Sequence, residues 1–190
     1  MARRKNKKKS LWVKAKNILM GVGVAILVFC GTYTYFDSDT DIPSASPKDQ
    51  TLSAQLTGKI VRVSDGDTVV LLDSTNTQHK IRLDGIDCPE RAQDYGTKAT
   101  DFTKNLCAGK YVKVDVAGID KYKRVLGVLW VDGANVNEEL LKNGLAWQYK
   151  YNNSAQYKIF ENNARKKKLN IWSMSNPTAP WDFRKEEKTK

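Results

Sequence analysis

Three cysteines and a single histidine leave little from which to build a soft metal cluster or a disulfide scaffold. Cys30 lies in an apolar run. Cys88 and Cys107 then have two readings: a disulfide if the domain faces an oxidising compartment, or a loop thiol and a buried residue at a helix end. His79 stands beside a strand in a polar hairpin loop and reads as a solvated loop residue, since a lone His without Cys or His neighbours makes no zinc site. Internal repeats are missing too. Residues 1–16 contain no acid, and residues 17–36 contain no charge of either sign.

Those last two absences define one segment. Arg3, Arg4, Lys5, Lys7, Lys8, Lys9, Lys14 and Lys16 precede the uncharged stretch. At ~1.5 Å per residue, a helix of this length matches a ~30 Å hydrocarbon core. The positive-inside rule keeps the basic end cytoplasmic, with Tyr33, Tyr35 and Phe36 at the far interface, where Asp37, Asp39 and Asp41 begin. No A-x-A pattern follows the apolar run, which favours an uncleaved signal anchor over a cleaved signal peptide and secretion. Phe29 before Cys30 fits a lipoprotein site poorly, and a core helix would leave its basic flank outside any fold. The expected order is a basic cytoplasmic N-terminus (1–16), a transmembrane helix (17–36), a flexible linker (37–57), an outward-facing domain (58–175) and a C-terminal tail (176–190).

The chain has 190 residues and a formal charge of +11. Its length suits one domain with appendages. Residues 51–190 carry +6 of that charge, as expected of a domain that meets a polyanion. Charge alone does not identify chemistry. Alternating apolar runs at 58–64, 68–73, 78–84, 110–116 and 125–131 predict five strands of a small barrel. Tyr95, Ala99, Phe102 and Leu106 predict one helix, Val136, Leu140 and Leu141 a second, and Tyr157, Phe160 and Ala164 a third, each face read as core.

Between residues 63 and 90 the chain concentrates Asp67, Arg82, Asp87 and Glu90. Two turn-mounted carboxylates, Asp67 and Asp87, suit a hard divalent cation, and Glu90 could take a proton from water. Arginine supplies a planar fork for phosphate, and Arg124 offers a second one. Plain readings compete. Asp-Gly and Asp-x-Pro are common turn formers, Pro89-Glu90 could open a helix with a favourable N-terminal acid, and Arg82 and Arg124 could pair with Asp84 and Asp120 at the surface.

The ordered motifs Asp65-Gly66-Asp67-Thr68, Ile81-Arg82-Leu83, Gly85-Ile86-Asp87 with Pro89-Glu90, and Asp120-Lys121-Tyr122 with Arg124 resemble the staphylococcal-nuclease (thermonuclease) family. The likeness continues through Asn135-Val136-Asn137-Glu138, Gly144-Leu145-Ala146 and Lys168-Leu169-Asn170-Ile171-Trp172, covering residues 59–172. The resemblance implies an α+β fold, a five-stranded OB-fold barrel with three helices. It also implies a Ca²⁺-dependent nuclease acting on DNA and RNA, single-stranded or denatured strands favoured, that leaves 3′-phosphate ends. By resemblance Arg82, Glu90 and Arg124 are catalytic. Asp67, Asp87 and the backbone carbonyl of Cys88 hold Ca²⁺, weakly, at a Kd of about 10⁻⁴–10⁻³ M given two carboxylates. Lys121, Tyr122, Tyr149 and Tyr151 meet the terminal phosphate and a neighbouring base.

Cys88 departs from the family's threonine and brings a soft thiol beside the expected cation, which raises oxidation or thiophilic inhibition. Lys123 replaces the family's glycine before the second arginine. The segment Pro180-Trp181-Asp182-Phe183-Arg184 reads as a packing clasp and residues 185–190 as a disordered end. Two other function classes remain: a catalytically silent OB module binding single strands at the membrane, and a protein-interaction module using the barrel edge. No protein partner is implied.

Overall fold

β-Branched and leucine residues alternate with polar ones along the first strand, β1 (Gln55–Asp65), but the alternation breaks in the middle. Ile60 pairs with Leu71 and Arg62 with Val70, so Val61 is an extra residue bulged out of the ladder. The bulge turns both Ile60 and Val63 inward and leaves Val61 exposed. β2 (Thr68–Leu72) follows by a tight turn and β3 (Gln78–Leu83) by a second hairpin. β5 (Tyr111–Ile119) pairs with the other edge of β1, and β6 (Val125–Val131) with β5. A parallel pairing of β3 with β6, Ile81 opposite Val125 and Leu83 opposite Gly127, closes these five strands into an OB-like barrel.

The computed structural model describes residues 54–189. The expected basic N-terminus, membrane anchor and Cys30, with the linker up to residue 53, lie outside the described residues. β1 begins at Gln55, inside the stretch expected to be linker, because Gln55 to Lys59 pair with Asp115 to Tyr111. Among the described residues, no helix is long and apolar enough to cross a membrane.

Three pairs of residues add short ladders that periodicity could not reveal: β4 (Ile86–Asp87), β7 (Ala134–Asn135) and β8 (Trp147–Gln148). β4 pairs with β8 as a separate sheet, Asp87 opposite Trp147. α1 (Gly96–Cys107) buries Ala99, Thr103 and Cys107, while the expected Tyr95, Phe102 and Leu106 pack at the margin of the core. α2 (Val136–Lys142) is capped by Asn135, whose side chain accepts from Glu138 N–H, and buries Val136, Leu140 and Leu141 as expected. Asn137 is fully buried. Its carbonyl accepts from Leu129 N–H and its amide donates to the Asp84 and Gly127 carbonyls, pinning α2 to the barrel.

α3 (Ala155–Lys166) is capped by Ser154 and packs Tyr157 and Ala164 inward. A further helix, α4 (Pro180–Glu187), occupies the expected clasp and the first half of the expected disordered end, so the described residues hold four α-helices rather than three. Proline at its first turn fixes the φ a helix start needs. Pro180 is buried, and Trp181 packs on a second apolar cluster of Trp147, Ala164, Ile171 and Trp172. That packing gives the tail the tertiary support a helix of two turns cannot supply for itself.

Candidate active site

Two close approaches shape the end of the barrel where the acids gather. In the turn Asp65-Gly66-Asp67-Thr68, a Cβ on Gly66 would lie 2.8 Å from the Cys88 Cβ and 2.9 Å from that of Ala99. Glycine therefore lets the turn sit directly on α1, where Thr103 Oγ1 donates to the Gly66 carbonyl at 2.6 Å. At Gly96 a Cβ would fall 1.9 Å from the Glu90 carbonyl oxygen, so only glycine lets the Glu90 loop fold over the start of α1. The helix starts at Gly96, and Glu90 lies in the preceding loop rather than in a first helical turn.

Asp67 is buried, and its carboxylate bonds both its own turn and distant segments. Oδ2 accepts from Cys88 N–H at 2.7 Å and makes an ion contact with Arg82 Nη1, while Oδ1 accepts from Thr68 Oγ1 at 3.1 Å. Thr68 and Arg82 are cross-strand partners, which fixes the arginine beside the turn. Arg82 then reaches across to Asp87, donating from Nη2 to Oδ1 at 2.6 Å. One guanidinium thus bridges two carboxylates from separate segments. It pairs with neither Asp84 nor the surface, which removes the plain reading of Arg82. Its Nη1 is buried and, despite the ion contact, has no well-directed hydrogen bond.

Electrostatics follow the burial. Asp87 is 1% exposed, and burial raises its carboxyl above the ordinary value, opposed by Arg184 and Arg82. For Arg82, burial works against the charge, but Asp67 and Asp87 more than offset it and raise its pKa. Glu90 is less enclosed, with its side chain 38% exposed. Its backbone is held by Gln93, whose Oε1 accepts from Glu90 N–H at 2.9 Å.

Arg184, from α4, completes the cluster. Its Nη2 donates to Asp87 Oδ2 at 2.8 Å and its Nη1 to Glu90 Oε1 at 2.6 Å. Nothing in the tail's sequence marked this arginine as a site residue. The sequence marked the segment only as a packing clasp, and a partner more than ninety residues away leaves no periodic trace.

The structure therefore brings Asp67, Arg82, Asp87 and Glu90 together. Arg124 is not among their contacts. It sits just before β6, in an Asp120 turn, and donates from Nε to Asp120 Oδ2 at 2.7 Å, while its guanidinium lies 5.5 Å from the Tyr122 ring centroid. Parallel pairing of β3 and β6, with Arg82 opposite Leu126, keeps this turn at the same end of the barrel. Lys123 takes a left-handed φ of 62°, the conformation for which glycine is the usual choice.

Lys121 lies over Tyr122, which is exposed. Tyr149 follows β8 and donates its backbone N–H to the Gly85 carbonyl, two residues before Asp87. Its ring meets Tyr151 edge-on at 5.4 Å, and Tyr151 is exposed.

Cys88 and Cys107 are both free and buried. Cys107 closes α1, as the helix-end reading expects. The Cys88 thiol is packed into the core, and burial, then the nearby Asp67 charge, raise its pKa well above the ordinary value. A neutral, enclosed thiol is poorly reactive, which answers the concern that it would meet oxidants or soft metals. His79 is not a solvated loop residue. It lies in β3 and bonds Asp73 Oδ2 at 2.7 Å.

Asp67 and Asp87 supply hard oxygen donors, and the Cys88 carbonyl is the third ligand that the resemblance implies. Among the described residues, no group of three or more His, Cys, Asp and Glu side chains gathers as a metal site. Two carboxylates whose charge is balanced by guanidinium groups fit a weakly held hard cation, since Arg82 and Arg184 stand where positive charge is already required.

Comparison with known proteins agrees with this arrangement. Residues 80–174 match the staphylococcal nuclease homologue family. An uncharacterized endonuclease of Escherichia coli is 43% identical over 135 residues, 70% of this chain and 88% of that protein. Another, from Haemophilus influenzae, is 37% identical over 133 residues, 70% of this chain and 75% of its own. The staphylococcal-like nuclease CAN1 of Arabidopsis thaliana is 42% identical over 110 residues, 57% of this chain and 34% of the plant protein. The chain belongs to the staphylococcal nuclease homologue family.

Proposed function

We propose that the chain is a Ca²⁺-dependent nuclease that hydrolyses phosphodiester bonds of DNA and RNA and leaves 3′-phosphate ends. The observation that carries this reading is the bridge of Arg82 between Asp67 and Asp87 with Glu90 alongside, a constellation of acids and guanidiniums that a module only binding polyanions has no use for. The family membership and its nuclease relatives support the same activity.

Asp67, Asp87 and the Cys88 carbonyl would hold Ca²⁺, which supplies positive charge beside the reacting phosphate. Arg82 would lend its guanidinium charge to the phosphate, and Arg124 swings from Asp120 to hold the phosphate from another side. Preorganised donors of this kind stabilise the five-coordinate transition state by about 3–4 kcal/mol each. Glu90, open to solvent, orients a water and accepts its proton as the water oxygen bonds to phosphorus. The bond from phosphorus to the 5′ oxygen breaks, and that oxygen is reprotonated from solvent. Tyr122, Tyr149 and Tyr151, with Lys121, offer ring faces and charge to an unpaired strand, so single-stranded or denatured substrates are favoured with little sequence preference. The uncharged stretch 17–36 would hold the enzyme at the cell membrane with this domain outside.

Release of nucleotides from denatured DNA by the full chain, with Ca²⁺ and with a chelator, tests the activity. We expect Ca²⁺-dependent release that falls by about two to three orders of magnitude in Glu90→Gln and in Arg82→Ala. Full activity in both variants would sink the assignment. A folded chain that binds single strands but releases nothing would be a silent binding module instead.

A further inference from the structure

The tail helix does more than cover the barrel. Trp181 and Arg184 are three residues apart on α4 and share a face. Trp181 docks beside Tyr149, with ring centroids 6.4 Å apart, and on the cluster containing Trp147, the residue that pairs with Asp87. Docking there places Arg184 over the acids. A second tie fixes the approach: Gln93 accepts from Glu90 N–H through Oε1 and donates through Nε2 to the Thr178 carbonyl at 3.0 Å, so one side chain joins the Glu90 loop to the start of the tail.

The fork of Arg184 is used in full. Nη1 and Nη2 reach Glu90 Oε1 and Asp87 Oδ2 at 2.6 and 2.8 Å, with a longer contact from Nη1 to Asp87 Oδ1 at 3.3 Å. A planar guanidinium held this way fixes the angle of both carboxylates, which a lysine point charge could not do. Its positive charge, beside the oxygens of Asp87, also opposes any second cation arriving there.

We propose that Arg184 is a positioning residue of the active site. It orients Glu90 for catalysis and competes with the divalent cation for Asp87, so that the tail sets both how fast the site works and how much cation it needs. This rests on the Ca²⁺-dependent nuclease reading. A clasp that only stabilises the fold would move neither quantity without unfolding the protein.

The test compares the full chain with Arg184→Gln, Arg184→Lys and Trp181→Ala, each shown folded by its thermal transition. Calorimetric titration with CaCl₂ in the absence of nucleic acid reads cation affinity, and kcat and KM are read on denatured DNA. For Arg184→Gln we expect Ca²⁺ to bind roughly 2–5-fold more tightly, the scale of one partly exposed charge pair. We expect kcat to fall about tenfold with KM little changed, since an orienting group acts at the chemical step. Arg184→Lys should keep near wild-type Ca²⁺ affinity while recovering only part of kcat, and Trp181→Ala should follow Arg184→Gln in both directions. If either Ca²⁺ affinity or kcat of folded Arg184→Gln stays at the wild-type value, or kcat rises, the proposal is overturned. A wild-type chain that neither binds CaCl₂ nor cuts DNA would instead overturn the nuclease reading beneath it, and this proposal with it.

Discussion

Two hairpin turns of the same barrel carry an aspartate, and they use it in opposite ways. At the β2–β3 turn, Asp73 bonds only within its own hairpin: Oδ1 accepts from Thr75 N–H, Thr77 N–H and Thr75 Oγ1, and Oδ2 meets His79 at the start of β3. At the β1–β2 turn, Asp67 bonds Cys88 N–H and Arg82, residues far along the chain. Both sit in ordinary turn sequences. The destination of the hydrogen bonds, rather than the residue type, separates a carboxylate that shapes a loop from one that ties distant segments together.

The largest effect should come from cutting the distant network. Arg82→Ala would leave the buried Asp67 and Asp87 facing each other and should lower the stability of the metal-free protein by about 3–5 kcal/mol in chemical denaturation. Added Ca²⁺ should restore part of that loss. Stability equal to wild type would mean the bridge holds nothing. Next, Asp67→Asn should reduce nuclease activity by about two orders of magnitude, whereas Asp73→Ala should lower the thermal midpoint with activity unchanged. Equal activity in the two variants would erase the contrast between the turns.

Acid sharpens the same comparison. Bonds from His79, Thr75 and Thr77 hold the Asp73 carboxyl well below its ordinary value of 3.8. Its stabilising contribution is therefore full above that value and is lost as the pH falls towards the lowered one. Asp87 is raised by burial, so its contribution has the other sign, present in acid and lost as the pH rises through the raised value. Thermal melts of wild type and Asp73→Ala should differ most near neutrality and converge in acid. A gap that widens in acid would reverse the assignment.

The smallest effect concerns a third local turn. Asp120 accepts from the N–H groups of Tyr122 and Arg124, and Lys123 between them is left-handed. Lys123→Gly should raise stability by up to about 1 kcal/mol by relieving that φ. A loss of stability would show that the lysine is not strained there.

Much of this was legible in the sequence, for identifiable reasons. Five strands followed from alternation, and Asp67, Arg82, Asp87 and Glu90 from their crowding between residues 63 and 90. Periodicity failed where the chain departs from it. The Val61 bulge changes which residues face the core, the two-residue ladders β4 and β8 are too short to alternate, and α1 starts later than Pro89 suggested because the Glu90 loop occupies the space before Gly96. Arg184 was invisible for another reason. Its role depends on where Trp181 docks, and docking is a property of the assembled surface.

The pairing of β4 with β8 also has a temporal side. Asp87 leaves the ribosome long before Trp147, and until β8 arrives its short strand has no ladder to join. Contacts between distant segments form late because the loop between them must first be closed. Nascent chains stalled at Gly144 should therefore carry the acids yet cut nothing. A chain cut short of β8 would thus hold every acid of the cluster without the ladder that sets Asp87 in place.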